Sequence, residues 1–146
     1  MKEVIKFAIQ NEIEAYNFYE DAAKKIEDKQ LKETFEDLAR EEHKHREFLE
    51  DFLAEGLEKM HFKPVEDYKI AESVDEVHLS TDMKFVDAIA LAMKKEEEAM
   101  AMYQKLSEIS TDESQKELFD GLADMEKMHK VRLEEIYTNA AFVEVW

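Results

Sequence analysis

Apolar residues recur along most of this chain at alternating steps of three and four, the spacing of one face of an α-helix. The pattern predicts four helices, over about residues 2–27, 30–58, 83–109 and 113–138. In each of them two positions in every seven face inward, as in helices that pack side by side. The expected fold class is therefore all-α, a four-helix bundle.

Short polar turns separate the first helix from the second, at Glu27-Asp28-Lys29, and the third from the fourth, at Ser110-Thr111-Asp112. Turns of this length make each pair an antiparallel hairpin. Ser110 and Glu113 together match a capping box, which predicts that Ser110 caps the last helix. The bundle is thus expected to consist of two helix hairpins.

A longer segment, residues 59–81, joins the hairpins and carries the single proline, Pro64. About 23 extended residues reach ~75 Å, whereas a helix of about 26 residues is ~40 Å long. The segment can therefore cross the length of the bundle. We predict one domain over residues 1–146, with hairpins at about 2–58 and 82–139.

The two hairpins repeat each other at a constant offset of 84 residues. Both contain E-x2-A-x3-Y followed by F-x2-L-A-x2-E-x2-H-x3-L, where x is any residue. The bundle is therefore expected to be a duplicated hairpin. The repeated pairs that can bind metal are Glu12 with Glu96, Glu42 with Glu126, and His45 with His129.

All six of these residues occupy inward positions. Glu42 and His45, for example, share the stripe that buries Leu38 and Leu49, and residues three apart lie on one helical face. A buried carboxylate without a partner is strongly destabilising, whereas two divalent cations would balance four carboxylates. One Glu from each of two helices, with Glu-x-x-His from the other two, is a known dinuclear ligand set in bundles. We predict metal ligands at Glu12, Glu42, His45, Glu96, Glu126 and His129.

Carboxylate and imidazole ligands without thiolates favour iron or manganese over zinc. A lone E-x-x-H is weak evidence in so acidic a chain, and we interpret Glu58 and His61 as a chance match. Tyr19 and Tyr103 follow the first ligand of each hairpin by two turns, so they either hydrogen-bond a ligating carboxylate or fill the core. Three further polar residues are assigned no part in the site: Glu14 is expected to be solvated, Glu41 to point elsewhere on its helix, and His78 has no predicted role.

Composition narrows the function further. Cysteine is absent, which excludes disulfides, iron–sulfur clusters and a thiol nucleophile. The net charge of −17 argues against nucleic acid and membrane partners. With no signal-like or membrane-spanning apolar run, a cytoplasmic location is expected. The apolar tail that ends at Trp146 either packs on the bundle or covers a dimer contact.

With these motifs the chain resembles the rubrerythrin-like branch of the ferritin-like di-iron carboxylate proteins. The likeness covers all four helices and is strongest in N-E-I-E-A-Y-N-F-Y (residues 11–19) and F-E-D-L-A-R-E-E-H-K-H (residues 35–45). The resemblance implies a ferritin-like domain with two metal ions. In that arrangement Glu42 and Glu126 bridge the ions, Glu12 and Glu96 are terminal ligands, and His45 and His129 bind one ion each.

Three departures from the family's usual pattern matter. Because the chain has no cysteine, it lacks the small iron module of typical rubrerythrins, and an external electron donor is implied. Ala99 stands where typical rubrerythrins carry an extra ligand Glu, so this ligand set is symmetric. His43 stands where bacterioferritin has its haem-binding Met, so no haem is expected.

The resemblance implies a di-iron protein that reduces peroxide or dioxygen, as a homodimer or larger homo-oligomer. The ligands alone leave three alternatives open. These are ferroxidase activity with iron storage or delivery, a di-manganese catalase-like centre, and a metal-sensing bundle without turnover.

Overall fold

The computed structural model describes residues 2–56, 78–140 and 145–146. Within these ranges the chain forms four long helices, α1 (Lys2–Lys25), α2 (Lys29–Asp51), α3 (Phe85–Ile109) and α4 (Glu113–Ala140). A π-helical segment, Phe52–Gly56, continues α2. No helix in the described ranges is long and apolar enough to cross a membrane.

The predicted all-α four-helix bundle is confirmed. Most helix ends fall within about two residues of the predicted ones, the usual uncertainty for a helix terminus. The second helix differs, because regular α-helical geometry stops at Asp51 and the π-helical segment follows. The predicted crossover lies mostly outside the described residues, which resume at residue 78.

Aspartates rather than serines cap the second helix of each hairpin. Asp28 accepts the N–H of Leu31 at 2.8 Å, and Asp112 accepts the N–H of Ser114 at 2.8 Å. The predicted cap at Ser110 is wrong, because Asp112 is the residue that directly precedes α4 and is placed to reach its first free N–H groups. The Ser110 hydroxyl instead donates to a carbonyl of α3 at 2.6 Å.

A polar layer divides the apolar core into two clusters. Along α1, Ile5 and Ala8 belong to one cluster and Ala22 and Ala23 to the other, with Glu12 between them. On each of the other three helices a buried glutamate likewise separates the two clusters, which α2 and α3 enter in the reverse order, so the polar layer is continuous across the bundle. The first apolar cluster includes Phe18, Phe35, Leu38, Phe85, Ile89 and Leu133, and the second includes Ile5, Leu49, Tyr103, Leu106, Phe119 and Leu122.

Trp146 packs against the first apolar cluster. Its ring meets Phe85 edge to face, with 5.0 Å between centroids, and its Nε1 donates to the carbonyl of Met83 at 2.9 Å. The ammonium of Lys25 lies 5.7 Å from the Trp146 ring, within cation–π range. Of the two interpretations of the tail, the structure thus shows packing of Trp146 on the bundle.

Candidate metal centre

The six predicted ligands lie together in the polar layer. Each is 0–6 % exposed. They are buried because each stands on the same stripe as the apolar residues before and after it, so burying the stripe buries the ligand. The contributions are Glu12 from α1, Glu42 and His45 from α2, Glu96 from α3, and Glu126 and His129 from α4.

Their ligand atoms form two overlapping groups. Within each group the atoms lie within 4.8 Å of one another. Glu42 and Glu126 belong to both groups, whereas each of the other four residues belongs to one. This arrangement can hold two ions that share two carboxylates. The first group is Glu12, Glu42, His45 and Glu126, and the second is Glu42, Glu96, Glu126 and His129.

Within the described ranges, several oxygen and nitrogen atoms of these side chains are buried without a hydrogen-bond partner, and these atoms are suitable metal ligands. In the part of the chain that the structure describes, one oxygen of each of the four glutamates is buried without a hydrogen-bond partner, as is Nδ1 of His129. Nδ1 of His129 lies 2.6 Å from Oε1 of Glu42, yet neither atom has a partner in hydrogen-bonding geometry. Buried polar atoms are almost always paired. Unpaired oxygen and nitrogen atoms converging on one volume are a donor set for cations.

Two tyrosines hold the terminal carboxylates. The hydroxyl of Tyr19 donates to Oε1 of Glu96, and that of Tyr103 to Oε1 of Glu12, both at 2.5 Å. Each bond therefore crosses from one hairpin to the other. Both rings are also buried in the core. The two interpretations from the sequence, hydrogen bonding and core filling, hold together.

Without cations the carboxylates can share the layer only by holding protons. Burial raises the pKa of Glu12, Glu42 and Glu96, and the charges of neighbouring carboxylates raise it further. Glu126 is the exception. Burial alone would raise its pKa, but the neighbouring Glu96 and the two histidines, of which His45 lies 2.9 Å away, hold that pKa well below its usual range.

The histidines respond to the same carboxylates. Burial would lower the pKa of His45, but hydrogen bonds to Glu12 and Glu126 outweigh burial and raise that pKa to about 10. Burial would lower the pKa of His129 too, but the carboxylates of Glu126, Glu42 and Glu96 around its ring outweigh burial and raise that pKa. In the absence of cations, imidazolium ions and protons balance the polar layer. Divalent cations would have to replace them.

Glu41 also contacts the centre, which the sequence analysis did not predict. Its Oε2 lies 2.5 Å from Nε2 of His129 on α4. The expectation that Glu41 points elsewhere is wrong, because its side chain is long enough to meet the outer edge of that ring from a position beside the inward stripe. A signal for this was present in the repeat, since Met125 stands 84 residues after Glu41 and breaks the equivalence of the halves.

A small cavity of ≈ 30 Å³ adjoins the carboxylates. A volume of about 10–15 Å³ by this measure accommodates one water, so the cavity fits a molecule of two or three heavy atoms at most. Ala15 and Ala99 form part of its wall, and their short side chains leave the space open. Its lining also includes Glu12, Glu42, Glu96, Glu126, Tyr19, Lys95 and Leu79.

The end of the crossover is anchored beside this cavity. The N–H of Leu79 donates to Oε1 of Glu14 at 2.7 Å, and Nδ1 of His78 lies 3.3 Å from Oε2 of the same carboxylate. The expectation that Glu14 is merely solvated is therefore wrong. Glu14 holds Leu79 where that side chain lines the cavity.

The family of this chain follows from its similarity to known proteins. The sequence profile of the rubrerythrins matches residues 3–137, nearly the whole chain. The chain belongs to the rubrerythrin family. None of the curated proteins matches it significantly.

Two solved structures share the fold of this rubrerythrin-family chain. A hypothetical protein from Pyrococcus furiosus is 31 % identical, with a TM-score of 0.74 and coverage of 99 % of this chain and 92 % of that one. A Thermotoga maritima protein described as ferritin-like and diiron-carboxylate is 18 % identical, with a TM-score of 0.72 and coverage of 95 % of both chains. The bundle is thus ferritin-like, with a candidate metal site of the carboxylate and histidine type.

Proposed function

We propose that this protein is a di-iron oxidoreductase that reduces hydrogen peroxide, or dioxygen, with electrons from an external donor. The observation that carries the proposal is the pair of overlapping ligand groups, which share Glu42 and Glu126 and lie against a cavity of ≈ 30 Å³. Two ferrous ions, if bound there, would supply two electrons together, the number that converts one peroxide and two protons into two waters, or one dioxygen and two protons into one peroxide.

The chain's own residues set the conditions for this chemistry. Glu12 and Glu96 are fixed by the tyrosine hydroxyls, so the terminal ligands keep their orientation while the centre changes its charge. The four carboxylates balance two divalent cations. The two apolar clusters on either side exclude water from the layer.

The cavity beside the carboxylates supports a small oxidant as the reactant. Its ≈ 30 Å³ fits peroxide or dioxygen, and the larger groove of ≈ 520 Å³ that His45 lines is a separate one, whose lining includes none of the four predicted glutamate ligands. The donor is external, since the chain has no cysteine for an iron–sulfur or rubredoxin-type centre. A homodimer or larger homo-oligomer in the cytoplasm belongs to the same proposal.

The test begins with metal content and follows with stopped-flow oxidation of the iron(II) protein. We expect two irons per chain and consumption of about one peroxide for every two irons. An Ala99→Leu variant should fill the cavity, retain two irons and slow oxidation by peroxide, while oxidation by a bulky outer-sphere reagent such as ferricyanide is unchanged. The matched control is Ala101→Leu, at an exposed position on the same helix.

Other outcomes would point to the alternatives. Two manganese ions per chain in the isolated protein would favour a catalase-like centre. Repeated oxidation of excess iron(II) by a cage-sized assembly would favour a ferroxidase with storage. Two bound irons that react with neither peroxide nor dioxygen would overturn the proposal and leave a metal-sensing bundle.

A further inference from the structure

The pseudo-symmetry of the centre breaks at the outer edges of the two histidines. Their rings are stacked, with centroids 6.0 Å apart and planes inclined by 16°, and each directs Nδ1 toward the carboxylates. Nε2 of His129 lies 2.5 Å from Oε2 of Glu41. Nε2 of His45 has no hydrogen-bond partner anywhere in residues 2–56, 78–140 and 145–146.

The difference originates in one pair of residues. At the offset of 84 that relates the halves, the counterpart of Glu41 is Met125, whose thioether is at best a weak acceptor. Met125 and His45 line the same open groove of ≈ 520 Å³, together with Glu41, Lys44, Phe48, Leu118, Gly121 and Leu122. Although Glu41 borders this groove, its carboxylate meets Nε2 of His129, and in the described residues it makes no hydrogen bond to His45.

A carboxylate at this position has a defined effect on a metal-binding imidazole. An imidazole that binds through Nδ1 carries its proton on Nε2, so the Nε2–H of His129 would donate to Glu41. Such a partner fixes the tautomer, orients the ring and makes the ligating nitrogen more basic. Glu41 is itself held by the guanidinium of Arg132, whose Nη1 lies 3.7 Å from the same oxygen.

We propose that Glu41 is a positioning residue that makes the two metal positions unequal, so that the position bound by His129 fills before the one bound by His45. This inference rests on the metal centre of the proposed function. An outer partner of a ligating histidine typically changes metal affinity by about 10- to 100-fold. We expect a ratio of that order between the two binding steps.

Because Glu41 and Met125 are counterparts, the contact can be moved from one histidine to the other. The double variant Glu41→Met, Met125→Glu removes the carboxylate from His129 and offers one to His45. With one equivalent of Mn(II) per chain, anomalous diffraction should place the ion beside His129 in the parent and beside His45 in the double variant. In solution, calorimetric titration should give two unequal steps for both proteins.

Single variants separate the effect on metal binding from a structural role. Glu41→Met should bring the two steps close together, whereas Glu41→Gln, which retains an acceptor for Nε2–H, should keep much of the difference. Glu33→Met, at an exposed position on the same helix, controls for the loss of one negative charge. A purely structural Glu41 would lower the unfolding temperature of Glu41→Met and leave the ratio of the two steps unchanged.

Failure of this inference differs from failure of the proposed function. Equal filling of both positions in the parent, or Mn(II) that stays beside His129 in the double variant, would overturn the role of Glu41 while leaving a dinuclear centre in place. A parent protein that binds no Mn(II) at all would overturn both. If the double variant does not fold, the Glu41→Gln and Glu41→Met titrations still decide the outcome.

Discussion

The polar layer and the two apolar clusters that enclose it follow the same helical register but contribute to stability with opposite sign. Leu38 and Leu49 on α2 are fully buried and stabilise the bundle by leaving water. Glu42 stands between them, equally buried, and burial raises its pKa because the ionised form is unfavourable there. The register decides what is buried, and the chemistry of each residue decides whether its burial stabilises the protein.

Glu42→Leu should show the largest difference between the polar layer and the apolar clusters, because it affects metal binding and stability in opposite directions. Loss of a shared carboxylate removes a ligand from both groups, so we expect binding of the second ion to weaken by more than about 100-fold. The metal-free bundle should become more stable, by ~1–4 kcal/mol, because an apolar side chain replaces a buried carboxylate. Metal content and denaturant unfolding in chelator measure the two effects.

The control for that substitution is Glu33→Leu, at an exposed position on the same helix. Its metal content should match the parent's, and its unfolding free energy should change by less than about 0.5 kcal/mol. Two ions bound by Glu42→Leu as tightly as by the parent would show that Glu42 is not a shared ligand.

Leu38→Ala tests the apolar side of the comparison, one turn away from Glu42. Deleting this fully buried side chain from the first apolar cluster should cost ~2–5 kcal/mol of unfolding free energy. The loss should be similar with and without metal, and two ions should still bind. Denaturant unfolding of both forms provides the measurement, and a variant that lost its metal while keeping its stability would contradict this division of roles.

The stability of the metal-free protein should also depend on pH. A group whose pKa is higher in the folded than in the unfolded protein stabilises fully below the unfolded pKa, and its contribution is lost as pH rises through the folded pKa. Glu12, Glu42, Glu96 and both histidines have raised pKa values, that of His45 reaching about 10 from 6.5. Glu126, whose pKa is lowered, acts in the opposite sense, but its contribution is already complete above its unfolded pKa of about 4.5.

The unfolding temperature of the metal-free protein should therefore fall as pH rises from about 6.5 to 10, and thermal melts in chelator measure it. Metal binding should release protons and tighten with rising pH over the same interval, because cations must displace the protons of the polar layer. Calorimetric titration in buffers of different ionisation enthalpy counts those protons. A metal-free unfolding temperature that is flat or rises between these pH values would contradict the proposed protonation of the layer.

The sequence predicts the structure correctly where local periodicity and the repeat determine it. A step of three or four residues sets which face of a helix is buried, and the offset of 84 set which side chains would meet across the bundle. The structure brings the six predicted residues together. That they bind metal in the cell stays a prediction.

The features that the sequence did not predict depend on contacts between residues of different helices, or between a helix and the crossover. The position of Glu41 on α2 indicates where its Cβ points, but not that its carboxylate meets a ring on α4. The bond from Leu79 to Glu14 depends on the path of the crossover, which no local pattern specifies. The cap of α4 was misassigned between two residues of one polar turn, where either side chain is chemically suitable.

The tyrosine bonds bear on how such a bundle could originate. Tyr19 and Tyr103 each satisfy a carboxylate of the opposite hairpin, and each ligand group draws on both hairpins. Neither hairpin alone therefore contains a complete site, but two identical hairpins placed face to face would contain all of it. A single hairpin that paired with its own copy would therefore assemble an equivalent set of six side chains, and joining the two copies end to end would keep that set intact.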